Sequence, residues 1–247
     1  PTRDVEIPIE SFREWLQAAA EKEVARVGAR DAFEDIDTVR ATTAEDVLAT
    51  AVTDKRADGL ILGRKTPRGQ DAVVRLGRVA RRLIRRAESP MIVVPPDLQV
   101  ADVGEGPVVV ATDLGDDAVG ALHFGQAMAK ALGRELVLAY GIRLPNLLDQ
   151  YLPSDAWNTV QSAIGREGGE SARAWAARHG VEARVHIVDG PLVRGLWMAA
   201  FHEHACLLVA GSRRLSMLDR IFTSSIGTEL AAASPLPVAI VPPAKQT

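Results

Sequence analysis

Between Arg64 and Arg86 nine cationic side chains (Arg64, Lys65, Arg68, Arg75, Arg78, Arg81, Arg82, Arg85 and Arg86) share the segment with one acid, Asp71. Arg75, Arg78, Arg82 and Arg85 or Arg86 recur at three- and four-residue spacing, which lines them up on one helical face. Such a stripe could hold phosphates of nucleic acid or another anionic partner. The plainer reading is a solvated outer face, and the acidic balance of the whole chain, net charge −3, favours it. His202-Glu-His204 has metal-ligating types, but residues two apart on a helix point to different faces and no further ligand cluster supports them. The chain has no Gly-x-Ser-x-Gly elbow, no Walker A loop and no Gly-x-Gly-x-x-Gly fingerprint, so no residue can be given a catalytic role. The single cysteine, Cys206, lies in the apolar run Ala205–Ala210; it rules out a disulfide framework and points to the cytoplasm.

The elements around these residues alternate between two periods. Val108–Thr112, Glu135–Tyr140, Ala183–Val188, Ala205–Ala210 and Val238–Val241 are short apolar runs that predict strands. Helices are predicted between them: one after Asp116-Asp117, either able to cap it, up to Gly133; one over Asp155–His179 before Gly180; and one opened by Gly190-Pro191. Upstream, Ser11-Phe-Arg-Glu14 and Thr43-Ala-Glu-Asp46 read as capping boxes. Asp37–Ala41, Leu60–Leu62 and Met91–Val94 read as strands. Strict βα alternation predicts parallel, doubly wound sheets. Four tryptophans (Trp15, Trp157, Trp175 and Trp197) fall on predicted helices as packing residues. With 47% hydrophobic and 25% charged residues the composition is that of a packed protein. No apolar run approaches the roughly 18 to 20 residues of a membrane span, so no membrane role is expected.

The chain also repeats itself. Gly59-Leu-Ile-Leu-Gly63 returns as Leu207-Leu-Val-Ala-Gly211, and Ser89-Pro-Met-Ile-Val-Val-Pro-Pro96 returns as Leu236-Pro-Val-Ala-Ile-Val-Pro-Pro243. The offsets are 148 and 147 residues, too long for a solenoid unit, so this is a domain duplication. Residues 1–96 form a first domain, 97–106 a linker and 107–247 a second, complete domain. The offset places the counterpart of Val108 about forty residues ahead of Pro1, so the first domain is expected to lack its first strand, first helix and second strand.

In the second copy, Ala210-Gly211-Ser212 closes an apolar strand. Ser224-Ser225-Ile226 then opens a helix that ends at Pro235-Leu-Pro237 before the last strand. With Val108-Val-Val-Ala-Thr-Asp113 and Ala131-Leu-Gly-Arg-Glu-Leu-Val-Leu138 this pattern resembles the universal stress protein (UspA) family in a tandem form. The resemblance implies two doubly wound five-stranded parallel sheets, Rossmann-like and of the adenine nucleotide alpha hydrolase type, the first truncated. It also implies that the final strands, Met91–Val94 and Val238–Val241, pair antiparallel about a pseudo-two-fold axis, their flanking prolines fitting sheet edges.

ATP-binding members of that family carry a glycine, two residues, a second glycine, nine residues, and a third glycine followed by Ser or Thr. The glycines let backbone approach phosphate, and a helix N-terminus offers free N–H groups. Here Gly211 stands, Arg214 replaces the second glycine and Ser224-Ser225 replaces the last pair; in the first copy Gly63 stands, Thr66 replaces the second and Gly77-Arg78 falls one residue late. The resemblance therefore implies a nucleotide site, for ATP or AMP, at Thr112, Asp113, Gly211, Ser212, Arg214, Ser224 and Ser225. Arg213 and Arg214 either grip phosphate or close the pocket by filling a glycine slot; Asp113 either meets the nucleoside or braces its own loop. Three functions follow: a stress-response interaction protein with degenerate nucleotide sites, an adenine-nucleotide binder using the second copy, and an anion or nucleic-acid module using the arginine stripe. Of these the first is preferred. No enzyme activity beyond weak ATP hydrolysis is expected. A protein partner or a homo-oligomer is, while a nucleic-acid partner is disfavoured.

Overall fold

The structure, a computed structural model, describes residues 9–64, 76–86, 88–142, 153–212 and 226–243. In chain order the elements are α1 (Ile9–Arg26), α2 (Ala44–Asp54), β1 (Leu60–Gly63), α3 (Arg78–Arg86), β2 (Met91–Val94), β3 (Val108–Thr112), α4 (Val119–Leu132), β4 (Leu136–Gly141), α5 (Ser154–Arg178), β5 (Arg184–Val188), α6 (Leu192–His202), β6 (Leu207–Gly211), α7 (Ile226–Ala233) and β7 (Val238–Val241). The chain divides into two compact units, Pro1–Val47 and Leu48–Thr247.

Unit one holds α1 and an extended stretch. Helix α1 begins at Ile9, so Ser11 lies inside it rather than capping it. The Gln17 side chain holds the stretch through the Ile36 carbonyl and accepts from Thr38 Oγ1 at 2.7 Å. Asp37–Ala41 form no strand. Their counterpart in the second copy, β5, pairs with β4, whereas the described residues of unit one contain no strand to ladder against, and an unpaired strand leaves its backbone groups unsatisfied. Phe12 and Trp15 stack at 6.1 Å between ring centroids, and Trp15 is exposed, not a packing residue.

The second unit contains one seven-stranded sheet in the order β1-β2-β7-β6-β3-β4-β5. Every neighbouring pair is parallel except β2 and β7, which run antiparallel with Met91, Ile92 and Val93 opposite Ile240, Ala239 and Val238. Ile92 thus faces Ala239, its own repeat counterpart 147 residues on, which puts a local two-fold axis through that pair. Each of these strands is the edge of its own copy, yet their union makes them interior, and the prolines stand just outside the ladder. Because β2 is bonded to β7, the compact units do not divide at the repeat boundary, and everything from Leu48 onward packs together.

Alternation along the strands sorts the core into two layers. Val109 and Ala111 share one layer with Leu83 and Ile84 of α3, Leu196 and Ala200 of α6, and Leu230 of α7. Val108 and Val110 face Ala121 and Leu122 of α4 and Trp175 and Ala176 of α5. Asp116 and Asp117 do not cap α4: they sit in a 3-10 turn over Asp116–Ala118 that runs into the helix. Thr43 does meet Asp46 across the first turn of α2. Gly133 ends α4 at φ +63°, a conformation that glycine adopts without Cβ strain. The segment predicted as a linker is tightly seated, since a Cβ at Gly104 would lie 1.8 Å from the His204 carbonyl oxygen.

Candidate functional site

Strand β3 is where the winding reverses. From β3 the chain crosses through α4 to β4 on one side; from β5 it crosses through α6 to β6 on the other. At such a switch point the loops leaving the carboxyl ends of two neighbouring strands diverge and leave a crevice, the usual ligand position in open α/β sheets. Here that position lies between Thr112-Asp113, at the end of β3, and Gly211-Ser212, at the end of β6, because Ala111 pairs with Ala210. The first turn of α7 forms the third side: a Cβ at Gly227 would lie 3.4 Å from the Gly211 carbonyl oxygen.

The β3–α4 loop is held by its own side chains. Leu114, at φ +62°, donates its N–H to Thr112 Oγ1 at 2.9 Å, and Gly115 donates to Asp113 Oδ1 at 3.1 Å. Asp113 therefore braces its loop, one of its two expected roles. The loop lies close to Gly211, whose Cβ position is 3.5 Å from the Asp117 carbonyl oxygen. Asp113, Asp116 and Asp117 are all exposed at this end. Ser212 is buried and donates its N–H to the Val241 carbonyl at 2.7 Å. Of the other expected site residues, Arg214, Ser224 and Ser225, with Arg213, lie outside the described residues.

Arg64 occupies the repeat position of Ser212, and its surroundings overturn its place in the arginine stripe. It is 2% exposed and donates from Nη1 to the carbonyls of Ala232 at 2.8 Å and Ser234 at 3.0 Å, with Asp97 Oδ1 3.8 Å from Nη2. A cation from the first copy thus caps the C-terminus of α7 in the second, where the helix dipole is negative. The partners lie more than 160 residues away, so no local pattern could have revealed it. Arg78, Arg82, Arg85 and Arg86 remain exposed on α3, while Lys65, Arg68 and Arg75 lie outside the described residues.

His202-Glu-His204 sits at the amino ends of the strands, away from the crevice. Glu203 accepts from Arg184 at 2.7 and 2.8 Å, and His186 Nδ1 lies 3.5 Å away. The Arg184 hydrogen bonds hold the Glu203 carboxyl below the usual range, and burial pushes the Cys206 thiol up. Among the described residues no group of His, Cys, Asp and Glu is arranged to hold a metal, and no helix is long and apolar enough to cross a membrane.

The model of the universal stress protein family matches residues 106–242, the span of the second copy. The chain belongs to the universal stress protein family. Among solved structures it is similar to a universal stress protein from Archaeoglobus fulgidus, with TM-score 0.63 and 19% identity over 98% of this chain and 83% of that one. A functionally unknown protein from Pseudomonas aeruginosa gives TM-score 0.63 and 15% identity over 92% and 78%. A second Archaeoglobus fulgidus universal stress protein, solved in complex with dAMP, gives 0.39 and 17% over 55% and 97%. No match is found among curated proteins. The span that the family model matches holds the five parallel strands β3 to β7.

Proposed function

We propose that this universal stress protein serves the stress response as a cytoplasmic binding and interaction protein whose nucleotide sites have degenerated. The observation that carries this reading is what faces Gly211. A phosphate at that glycine needs donors, and the neighbouring loop brings an acceptor, the Asp117 carbonyl oxygen, next to it, in a loop that also carries three exposed acids, Asp113, Asp116 and Asp117. The sequence adds Arg214 and Ser224 in glycine slots. In the first copy Gly63 ends β1, an edge strand, so the described residues supply no second strand to form a crevice. Activity beyond incidental ATP turnover is not part of the proposal; the working contacts are with a protein partner or a second copy.

The alternative reading, an adenine-nucleotide site in the second copy, draws support from the meeting of Thr112, Asp113 and the first turn of α7 at the switch point. An anion site on the arginine stripe is weakened by the loss of Arg64 to a buried cap. Mass spectrometry of protein purified without added nucleotide separates the first two. Substoichiometric or absent nucleotide fits the proposal, and one ATP or AMP per chain favours the alternative.

A further inference from the structure

Helix α3 can be compared with its own repeat, α7. At the 147-residue offset Ala80, Leu83 and Ile84 match Gly227, Leu230 and Ala231, and all six are buried. The positions between them do not match: Arg81, Arg82, Arg85 and Arg86 stand where α7 has Thr228, Glu229, Ala232 and Ala233. Helix α7 packs on the sheet without a cation of its own, so the packing does not require the arginines of α3. Helix physics does not ask for them either. Arg85 and Arg86 in the last turn suit the dipole, but Arg78 and Arg81 stand in the first turn, where a cation is unfavourable. Arg78 and Arg82, Arg81 and Arg85, and Arg82 and Arg86 are like charges four apart, with no acid in the helix between them. Arg78, Arg82, Arg85 and Arg86 are exposed, and Arg81 lies beside them with its Nε on the Gly77 carbonyl at 3.3 Å. We propose that this face of α3 docks an acidic segment of a protein partner, with carboxylates at three- and four-residue spacing.

The choice of a protein partner rests on the interaction role of the chain and adds the chemistry that role would use. Arg78, Arg82 and Arg86 rise about 6 Å apart, the same step as carboxylates four residues apart on a facing helix. A guanidinium takes a carboxylate through two parallel hydrogen bonds. A nucleic acid is the poorer occupant. The face is only about 12 Å long, since Arg64 is buried against α7 and does not extend it. Without these five arginines the net charge of −3 becomes −8, so a long polyanion would overrun the face onto an acidic remainder. No aromatic residue lies between Gly77 and Pro90 to stack a base.

The test uses the full chain and a fluorescent, alanine-based helical peptide carrying Glu four residues apart, read by anisotropy at about 0.15 M salt. An isomer with the same Glu residues two apart, and so on opposite faces, is the comparison. Saturable one-to-one binding is expected, at least about threefold tighter for the one-faced peptide. Arg78→Gln combined with Arg85→Gln should weaken it about fivefold or more, the worth of two exposed ion pairs. The thermal melt of that variant should be unchanged or higher, because like charges are relieved. Arg178→Gln, exposed at the end of α5, should change neither. No saturable binding, equal binding of the two peptides, or indifference to the double substitution overturns the proposal. So does tighter binding, through the same arginines, of a DNA duplex or of vesicles containing phosphatidylserine. Any of these results leaves the degenerate nucleotide sites standing, since the nucleotide content of the purified protein decides them separately.

Discussion

Replacing Arg64 by alanine removes a guanidinium that is buried to 2% and reaches the last turn of α7 from the other copy. Three hydrogen bonds from Nη1 are lost, a long one to Ala231 and the shorter two to Ala232 and Ser234, charged bonds worth about 1.5–3 kcal/mol each and not additive. The cation at the helix C-terminus adds up to about 2 kcal/mol. Asp97, 32% exposed and 3.8 Å from the guanidinium, keeps partial access to water, which lowers the cost of losing its pair. Together these give a loss of about 3–4 kcal/mol for Arg64→Ala, near the figure for breaking a buried ion pair. Arg64→Lys keeps the charge but not the fork, and should recover about half of it. Urea unfolding followed by circular dichroism measures this: the midpoint should fall by on the order of 1–2 M with an unchanged slope. Arg78→Ala, on the exposed face of α3, should stay within about 0.5 kcal/mol. If Arg64→Ala behaves like Arg78→Ala, the two copies are not held together by this cap and the reasoning fails.

Other substitutions read different parts of the structure. Gly104→Ala drives a Cβ into the His204 carbonyl oxygen and should cost about 2–3 kcal/mol in the same unfolding assay. Gly165→Ala, inside α5 with nothing within 4 Å, should instead stabilise by about 0.5–1 kcal/mol. Glu203 has a carboxyl pKa lowered by Arg184, so its contribution is present above the ordinary carboxylate range and is lost as pH falls through the depressed value. Glu203→Gln should therefore cost stability at neutral pH, by no more than about 1 kcal/mol for so exposed a pair, and the difference from the parent should vanish in thermal melts taken well below pH 4.

Local patterns located what depends on local physics. Val108–Thr112, Met91–Val94 and Val238–Val241 were bounded correctly because proline or polar residues break the ladder next to apolar runs. Gly133 and Gly180 end their helices with positive φ, as their lack of a Cβ suggested. The family resemblance, not a local pattern, implied that Met91–Val94 and Val238–Val241 meet, as they do. Three features read differently in the structure, two of them because their partners are distant or missing. Asp37–Ala41 has strand composition but no ladder partner, and Ser11 has a capping side chain inside a helix that starts earlier. Arg64 reads as one more surface arginine until the carbonyls of Ala232 and Ser234 are seen around it. At the crevice the sequence placed Thr112, Asp113 and Gly211 together at the switch point. It left Asp113 between the nucleoside and its own loop; the left-handed turn at Leu114 brings the Gly115 N–H onto its carboxylate and decides for the loop.

Isothermal titration calorimetry of ATP, on the protein and on Arg214→Gly, tests the degenerate-site account most directly. The account predicts weak or no binding by the parent, with binding created or strengthened when the glycine slot is restored. Submicromolar ATP binding by the parent, weakened by about 1.5–3 kcal/mol or abolished in Arg214→Gly, would contradict it and make Arg214 a phosphate ligand.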